Sequence, residues 1–183
     1  MKQFFFKAEL ILLTLMSVSG CSSDDSGSDP ITCPQGYVGP NCETQITPSK
    51  IRVTKIRLKY FPILNGTSSW DFDSAPDIFV RFGHGNGTDN TTLLYESGYY
   101  EDVLSDGTTT FDFTPINPIV IDNPFDTYVI ILGDYDSVSL YDFMGGFTFV
   151  PYSSTNQFPE SITVSDLSIP LSFELMLSYE WNQ

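Results

Sequence analysis

Alternation of apolar and polar residues with a period of two is the main signal along this chain. From Lys50 to Tyr60, Ile51, Val53, Ile56 and Leu58 are interleaved with basic residues, and the frame slips once at Thr54-Lys55. That pattern predicts a half-exposed strand carrying a β-bulge. Near the end, Leu171, Phe173, Leu175, Leu177, Tyr179 and Trp181 alternate with Ser172, Glu174, Met176, Ser178 and Glu180, predicting a strand with one buried face. Tyr128 to Gly133 is an unbroken apolar run and predicts a buried strand. Shorter strands are predicted at Ile78–Phe82, Thr91–Glu96, Thr109–Phe113, Pro118–Ile121 and Gly146–Val150. No segment shows the period of an amphipathic helix. About eight short strands separated by turns predict an all-β fold, an antiparallel sandwich of two sheets.

The first 45 residues break this pattern. Met1 to Gly20 has a basic start at Lys2 and Lys7, a stray acid at Glu9, and an apolar segment from Leu10 to Met16 too short to span a bilayer. Val18-Ser19-Gly20-Cys21 then resembles a bacterial lipobox, which implies a signal peptide over 1–20 and acylation of Cys21. Residues 21–32 form a Ser/Asp-rich tether with too little apolar content to collapse. An acidic stretch after a lipid-bearing Cys resembles the surface-export signal of Bacteroidota lipoproteins. The expected location is therefore the bacterial outer membrane, lipid-anchored and exposed at the cell surface.

Residues 33–45 contain Cys33-Pro34-Gln35-Gly36-Tyr37-Val38-Gly39-Pro40-Asn41-Cys42-Glu43, which resembles the final loop of an EGF-like module. In that module the two Cys are paired, so the resemblance implies a Cys33–Cys42 disulfide, compatible with export. Four earlier Cys of the module are missing. The expected unit is a knuckle outside the core whose opening matters little to the sandwich, taken as residues 46–183.

Composition narrows the range of partners. Fifteen Phe, ten Tyr and two Trp favour β structure, and the net charge is −15. After Tyr60 the chain holds eighteen Asp or Glu but a single cation, Arg81, so nucleic acid is excluded as a direct partner. Five of the eight basic residues lie on the 50–60 strand. They read either as a patch for anionic lipid or glycan or, preferably, as charges that offset the surrounding acid and keep a sheet edge from pairing. The only His, His84, sits in a predicted turn-rich loop from Gly83 to Asn90 and reads as a surface residue. No nucleophile elbow or phosphate loop is present, which argues against an enzyme.

Two acidic stretches carry the candidate chemistry. The apolar run ends in Asp134-Tyr135-Asp136-Ser137-Val138-Ser139-Leu140-Tyr141-Asp142-Phe143-Met144-Gly145. Carboxylates so closely spaced suit Ca²⁺, which takes about 6–8 oxygen ligands. A helix–loop–helix calcium site fails on spacing: counted from Asp134, Val138, Ser139 and Gly145 stand where it needs an Asp or Asn, a Gly and a Glu. The stretch instead resembles the third calcium loop of C2 domains, D-x-D-x-x-S-x-x-D-x-x-G, with Asp134, Asp136, Ser139, Asp142 and Gly145 in register. Trp70 to Phe82 resembles their first calcium loop, with Asp71 and Asp77 six apart and a strand following. Pro76 precedes Asp77 where the family has Pro after that Asp, so Asp73 stays an alternative to Asp71 as outer ligand.

The resemblance implies a Greek-key sandwich with Asp71, Asp77, Asp134, Asp136, Asp142 and Ser139 around Ca²⁺ at one end. It also implies apolar contact residues at the loop tips, where Phe72 and Val138 stand. The implied function is a surface-exposed calcium-binding module recognising a lipid, glycan or protein ligand. The alternative is a structural or adhesive domain whose calcium only rigidifies the loops. Basic residues used by some relatives for phosphoinositides have no counterpart after Phe82.

Overall fold

Every regular element among the described residues is a strand, as the period of two requires. The structure is a computed structural model that describes residues 32–71, 73–87, 91–136, 141–166 and 168–182. A short hairpin pairs β1 (Tyr37–Val38) with β2 (Thr44–Gln45). β3 (Lys50–Tyr60) opens the sandwich, followed by β4 (Ile78–His84), β5 (Thr92–Glu96), β6 (Phe111–Phe113) and β7 (Ile119–Ile121). β8 (Tyr128–Asp134), β9 (Asp142–Phe149), β10 (Ser161–Asp166) and β11 (Leu171–Glu180) complete it.

One sheet runs β10-β11-β3-β6, with β7 also pairing β3; the other runs β5-β4-β8-β9. All pairings are antiparallel, and the first strand of the sandwich lies beside the last, as Greek-key connections produce. Across β3 and β11, Leu58 faces Phe173, Ile56 faces Leu175 and Val53 faces Leu177, all buried. Met176 pairs with Lys55 and Leu177 with Val53, so Thr54 is the extra residue of a bulge where the frame slips. Without it, Ile51 and Val53 would turn to solvent. Ile78, Val80 and Phe82 of β4 and Tyr128, Ile130 and Leu132 of β8 supply the opposing layer. Each such side chain contributes about 1.5–3 kcal/mol on burial, well above the roughly 0–1 kcal/mol of a surface ion pair. The apolar pattern therefore sets the register, and the charges follow it.

Those charges correct one expectation. β3 is not an edge: β11 flanks it on one side and β6 and β7 on the other. Its basic face is instead matched by acids from neighbouring strands. Asp112 accepts from Lys55 Nζ at 2.8 Å and from Arg57 Nε and Nη2 at 2.7 and 3.0 Å. The Arg57 guanidinium, helped by Lys55 and opposed by burial, holds the Asp112 carboxyl down at about 2. Arg52 pairs with Glu180, Lys50 lies 3.5 Å from Asp122, and Glu174 lies 3.8 Å from both Arg57 and Lys59. Offsetting of surrounding acid is the part of the reading that holds; the basic face of β3 is not a free patch.

Three further differences have local causes. β10 has no counterpart among the expected strands, because Val164 is the one side chain of its six that is buried. β9 starts at Asp142 rather than Gly146, since pairing with β8 continues to the end of that strand. His84 closes β4 instead of lying in a loop, with Nε2 2.9 Å from Asp126 Oδ2 and its ring stacked on Tyr128.

The Cys33–Cys42 disulfide forms and closes the β1–β2 hairpin. Residues 32–183 make one unit, and the hairpin rests on the sandwich. Tyr37 meets Phe158 edge-on at 5.5 Å, and Phe158 meets Trp181 at 5.0 Å and Tyr179 at 5.3 Å. Gln45 donates to the Tyr152 hydroxyl at 2.9 Å. Gly36 has φ +89, and an added Cβ would sit 2.5 Å from Phe158, so only glycine allows this docking. The expectation that opening the knuckle matters little is thereby replaced. Replacing both Cys by Ser frees a nine-residue closure and should cost about 2–3 kcal/mol. We expect a melting temperature lower by roughly 5–10 °C, read by thermal denaturation. An unchanged melting temperature would mean that the hairpin is energetically idle.

Candidate functional site

β8 is apolar until its last residue, Asp134, which lies in register with Ile78 of β4 on one side and Asp142 of β9 on the other. Its position in the middle of the ladder buries it: Asp134 is 1% exposed. Oδ1 accepts the Asp77 backbone N–H at 2.7 Å. Oδ2 is buried with no hydrogen-bond partner. A buried carboxylate oxygen left this way costs more than an ordinary hydrogen bond returns.

The segment beyond β5 closes over the same end. Tyr100 exchanges two backbone hydrogen bonds with Ile78, at 2.9 and 3.0 Å, and Val103 N–H reaches the Pro76 carbonyl at 3.0 Å. Asp77 Oδ1 then accepts the Asp102 N–H at 2.9 Å, and the Asp77 carbonyl accepts the Tyr135 N–H at 2.8 Å. Three chain segments thus meet at a cleft of about 330 Å³ lined by Asp71, Asp77, Glu101, Asp102 and Asp136, together with Ser74, Tyr99 and Tyr135. Among the described residues, no Lys or Arg lines it.

The electrostatic consequence falls on the least exposed groups. Burial, reinforced by repulsion from Asp71, Asp136 and Asp77, pushes the Asp134 carboxyl up to about 6, against the pull of the Asp77 N–H. Burial also raises Asp71, and the charges of Asp136, Asp77 and Asp102 add to it while a hydrogen bond from Ser74 opposes.

Four of the expected ligand residues come together here: Asp71, Asp77 and Asp136 line the cleft, and Asp134 lies within reach of their charge. Asp73 lines a different cleft, with Trp70 and Phe61. Asp142 stands opposite Asp134 in the ladder and, like Asp134, does not line the cleft itself. Ser139, Phe72, Val138 and Cys21 lie outside the described residues. Glu101 and Asp102 were not anticipated. An acidic pair directly after Tyr99-Tyr100 was the only trace of them, and their role depends on the Ile78–Tyr100 bridge.

No group of three or more His, Cys, Asp or Glu among the described residues is already gathered tightly enough to hold a metal ion. The donor set nonetheless fits a hard divalent cation: it consists of carboxylate oxygens, one of them a buried Oδ2 with nothing to bind.

Folding raises the Asp134 pKa from near 3.8 to about 6, so between those values the folded chain holds more protons than the unfolded one. Ion-free stability must then fall as pH rises through that window, and above it the penalty is on the order of 3 kcal/mol. Asp112, depressed to about 2, acts only at lower pH and does not offset this. In chelator, the melting temperature should be higher at pH 5 than at pH 7. Asp134→Asn should flatten that dependence and raise the pH 7 value by roughly 5 °C. A wild-type melting temperature that rises from pH 5 to 7 in chelator would contradict the burial of an unpaired carboxylate.

No family model matches the chain, and no curated protein matches it either. Among solved structures it is similar to one described as a C2 domain, with 13% identity and a TM-score of 0.46, over 72% of this chain and 97% of that one. It is also similar to a C2 domain of a plant extended synaptotagmin, with 13% identity and a TM-score of 0.42, over 75% of this chain and 99% of that one.

Proposed function

We propose that this protein is a lipid-anchored binding module whose acidic end binds Ca²⁺ and there recognises a ligand. The observation that carries the reading is the buried, unpartnered Oδ2 of Asp134 beside Asp71, Asp77 and Asp136. Those four carboxylates would hold the ion, with the Tyr135 and Asp136 backbone close by. Bound cation supplies the positive charge that the cleft lacks and leaves coordination positions for oxygen atoms of a ligand. The resemblance of the 71–82 and 134–145 stretches to C2 calcium loops supports the same assignment, and no catalytic role is proposed.

A second reading has its own support. Asp134 and Asp77 each bind a backbone N–H from another segment, at 2.7 and 2.9 Å, so the same carboxylates already tie the loops together. Calcium would then serve to rigidify an adhesive or scaffolding domain.

Binding to the folded state should raise stability by about 2.7 kcal/mol at a hundredfold excess of Ca²⁺ over Kd, a gain of roughly 5 °C or more. Mg²⁺ should do less, because it demands a tight octahedron and dehydrates reluctantly. Asp134→Asn with Asp136→Asn should abolish the response, while Asp106→Asn, an acid outside the cleft, should preserve it. Superimposable melting curves of the full-length protein in calcium and in chelator would rule the ion out. Anchoring is proposed through acylated Cys21 on the lipobox resemblance. Cells fed a fatty-acid analogue should label the protein, and Cys21→Ala should remove the label. Persistent labelling of that variant would end the proposal, and protease treatment of intact cells checks surface display.

A further inference from the structure

The outer face of the β4–β8 sheet carries a second cleft that the cation reading leaves unused. About 540 Å³ in volume, it lies among Phe79, Arg81, Glu96, Tyr99, Tyr135 and Tyr141. That is within the range of about 300–1,000 Å³ of small-ligand sites. Phe79 and Arg81 project from β4 on the side opposite the core residues Ile78, Val80 and Phe82, as the period of two dictates. Gly133 gives the Phe79 ring its place, since an added Cβ would stand 2.6 Å from it.

The chemistry of the cleft is specific. Tyr99 and Tyr135 stack face to face, ring centres 4.8 Å apart and planes 8° from parallel, yet remain 46% and 44% exposed. Each ring covers one face of the other, so the pair offers water its edges and its outer ring surface. At the other side, the Arg81 guanidinium lies 4.3 Å from the Tyr141 ring centre and 5.4 Å from that of Phe79, and its Nε donates to Glu96 Oε2 at 2.5 Å. Arg81 therefore fills the position a ligand cation would take over those two rings. Ser97 Oγ accepts the Val80 N–H at 2.8 Å, which leaves its hydroxyl proton to donate. An anion would enter against a net charge of −15 and the carboxylates next door. These features suit a neutral ligand with an apolar face for the tyrosine pair and hydroxyl groups for the Arg81, Glu96 and Ser97 edge.

We propose that this cleft binds a neutral saccharide, one sugar ring packing against the exposed surface of the stacked Tyr99–Tyr135 pair and its hydroxyls meeting Arg81, Glu96 and Ser97. This names the ligand class of the binding module proposed above. It rests on that reading only for its coupling to the cation: Tyr99 and Tyr135 line both clefts, and Tyr135 sits between Asp134 and Asp136.

Native affinity electrophoresis of the full-length protein through gels containing yeast mannan, xyloglucan, galactomannan or dextran tests it, in calcium and in chelator. Retardation by at least one polysaccharide is expected. Tyr99→Ala and Tyr135→Ala should weaken it at least about fivefold, and Tyr99→Phe should retain it. Melting curves establish that each variant is folded. Retardation in both media upholds the cleft and counts against calcium coupling, whereas retardation in calcium alone supports both. No retardation by any of the four, or binding that survives both alanine variants, overturns the proposal even if calcium raises the melting temperature.

Discussion

One carboxylate sets the character of this domain. Asp134 ends an apolar strand in the interior of a four-stranded sheet, with only one of its oxygens satisfied. The bond it does make, to the Asp77 N–H, ties the exit of β8 to the entry of β4, and Asp77 in turn holds Asp102. Three segments distant in sequence are held at one end of the sandwich by these two contacts. The same contacts crowd negative charge where, among the described residues, no Lys or Arg lines the cleft. A protein folded by its core tolerates such crowding because each of many buried side chains contributes more than a surface ion pair.

The other sheet shows the contrasting solution. Asp112, between Lys55 and Arg57, is held as a carboxylate by two cations, whereas Asp134 is pushed toward its neutral form by burial and by other acids. Both are aspartates on strands. The difference lies in what the neighbouring strand brings opposite. A basic strand lies in the middle of one sheet, while the strands of the other carry a single Arg, Arg81, which is already paired with Glu96. Acid therefore collects at one end of the molecule, away from the basic strand. Perturbed groups of this kind cluster at functional sites.

Acidic and aromatic clefts share a wall. Tyr99 and Tyr135 line both, beside the carboxylate cluster on one side and the Arg81–Glu96 pair on the other. Tyr141 follows the same logic: it packs on Phe79 at 5.6 Å and under Arg81 rather than extending from the loop tip.

Much of this was legible in one dimension. Residues of period two on Lys50–Tyr60 and Leu171–Glu180 specified both strands, and the slip at Thr54-Lys55 specified the bulge, because burial of one face admits a single register. The unbroken run from Tyr128 specified a strand covered on both faces, and Asp134 and Asp136 after it announced where the unusual chemistry would be. β10 was illegible because a strand that buries a single side chain has no period to read. Asp142 was named from spacing, and strand pairing sets it at the start of β9, opposite Asp134, which no local pattern announces. Glu101 and Asp102 joined the cleft through hydrogen bonds between the Asp77–Ile78 corner and residues beyond β5, which no local pattern encodes. Sequence determined the strands and the identity of the charges, since side-chain periodicity is local. Which charges meet, and which are left without a partner, was decided by strand order, because only packing brings residues far apart in the chain within bonding distance.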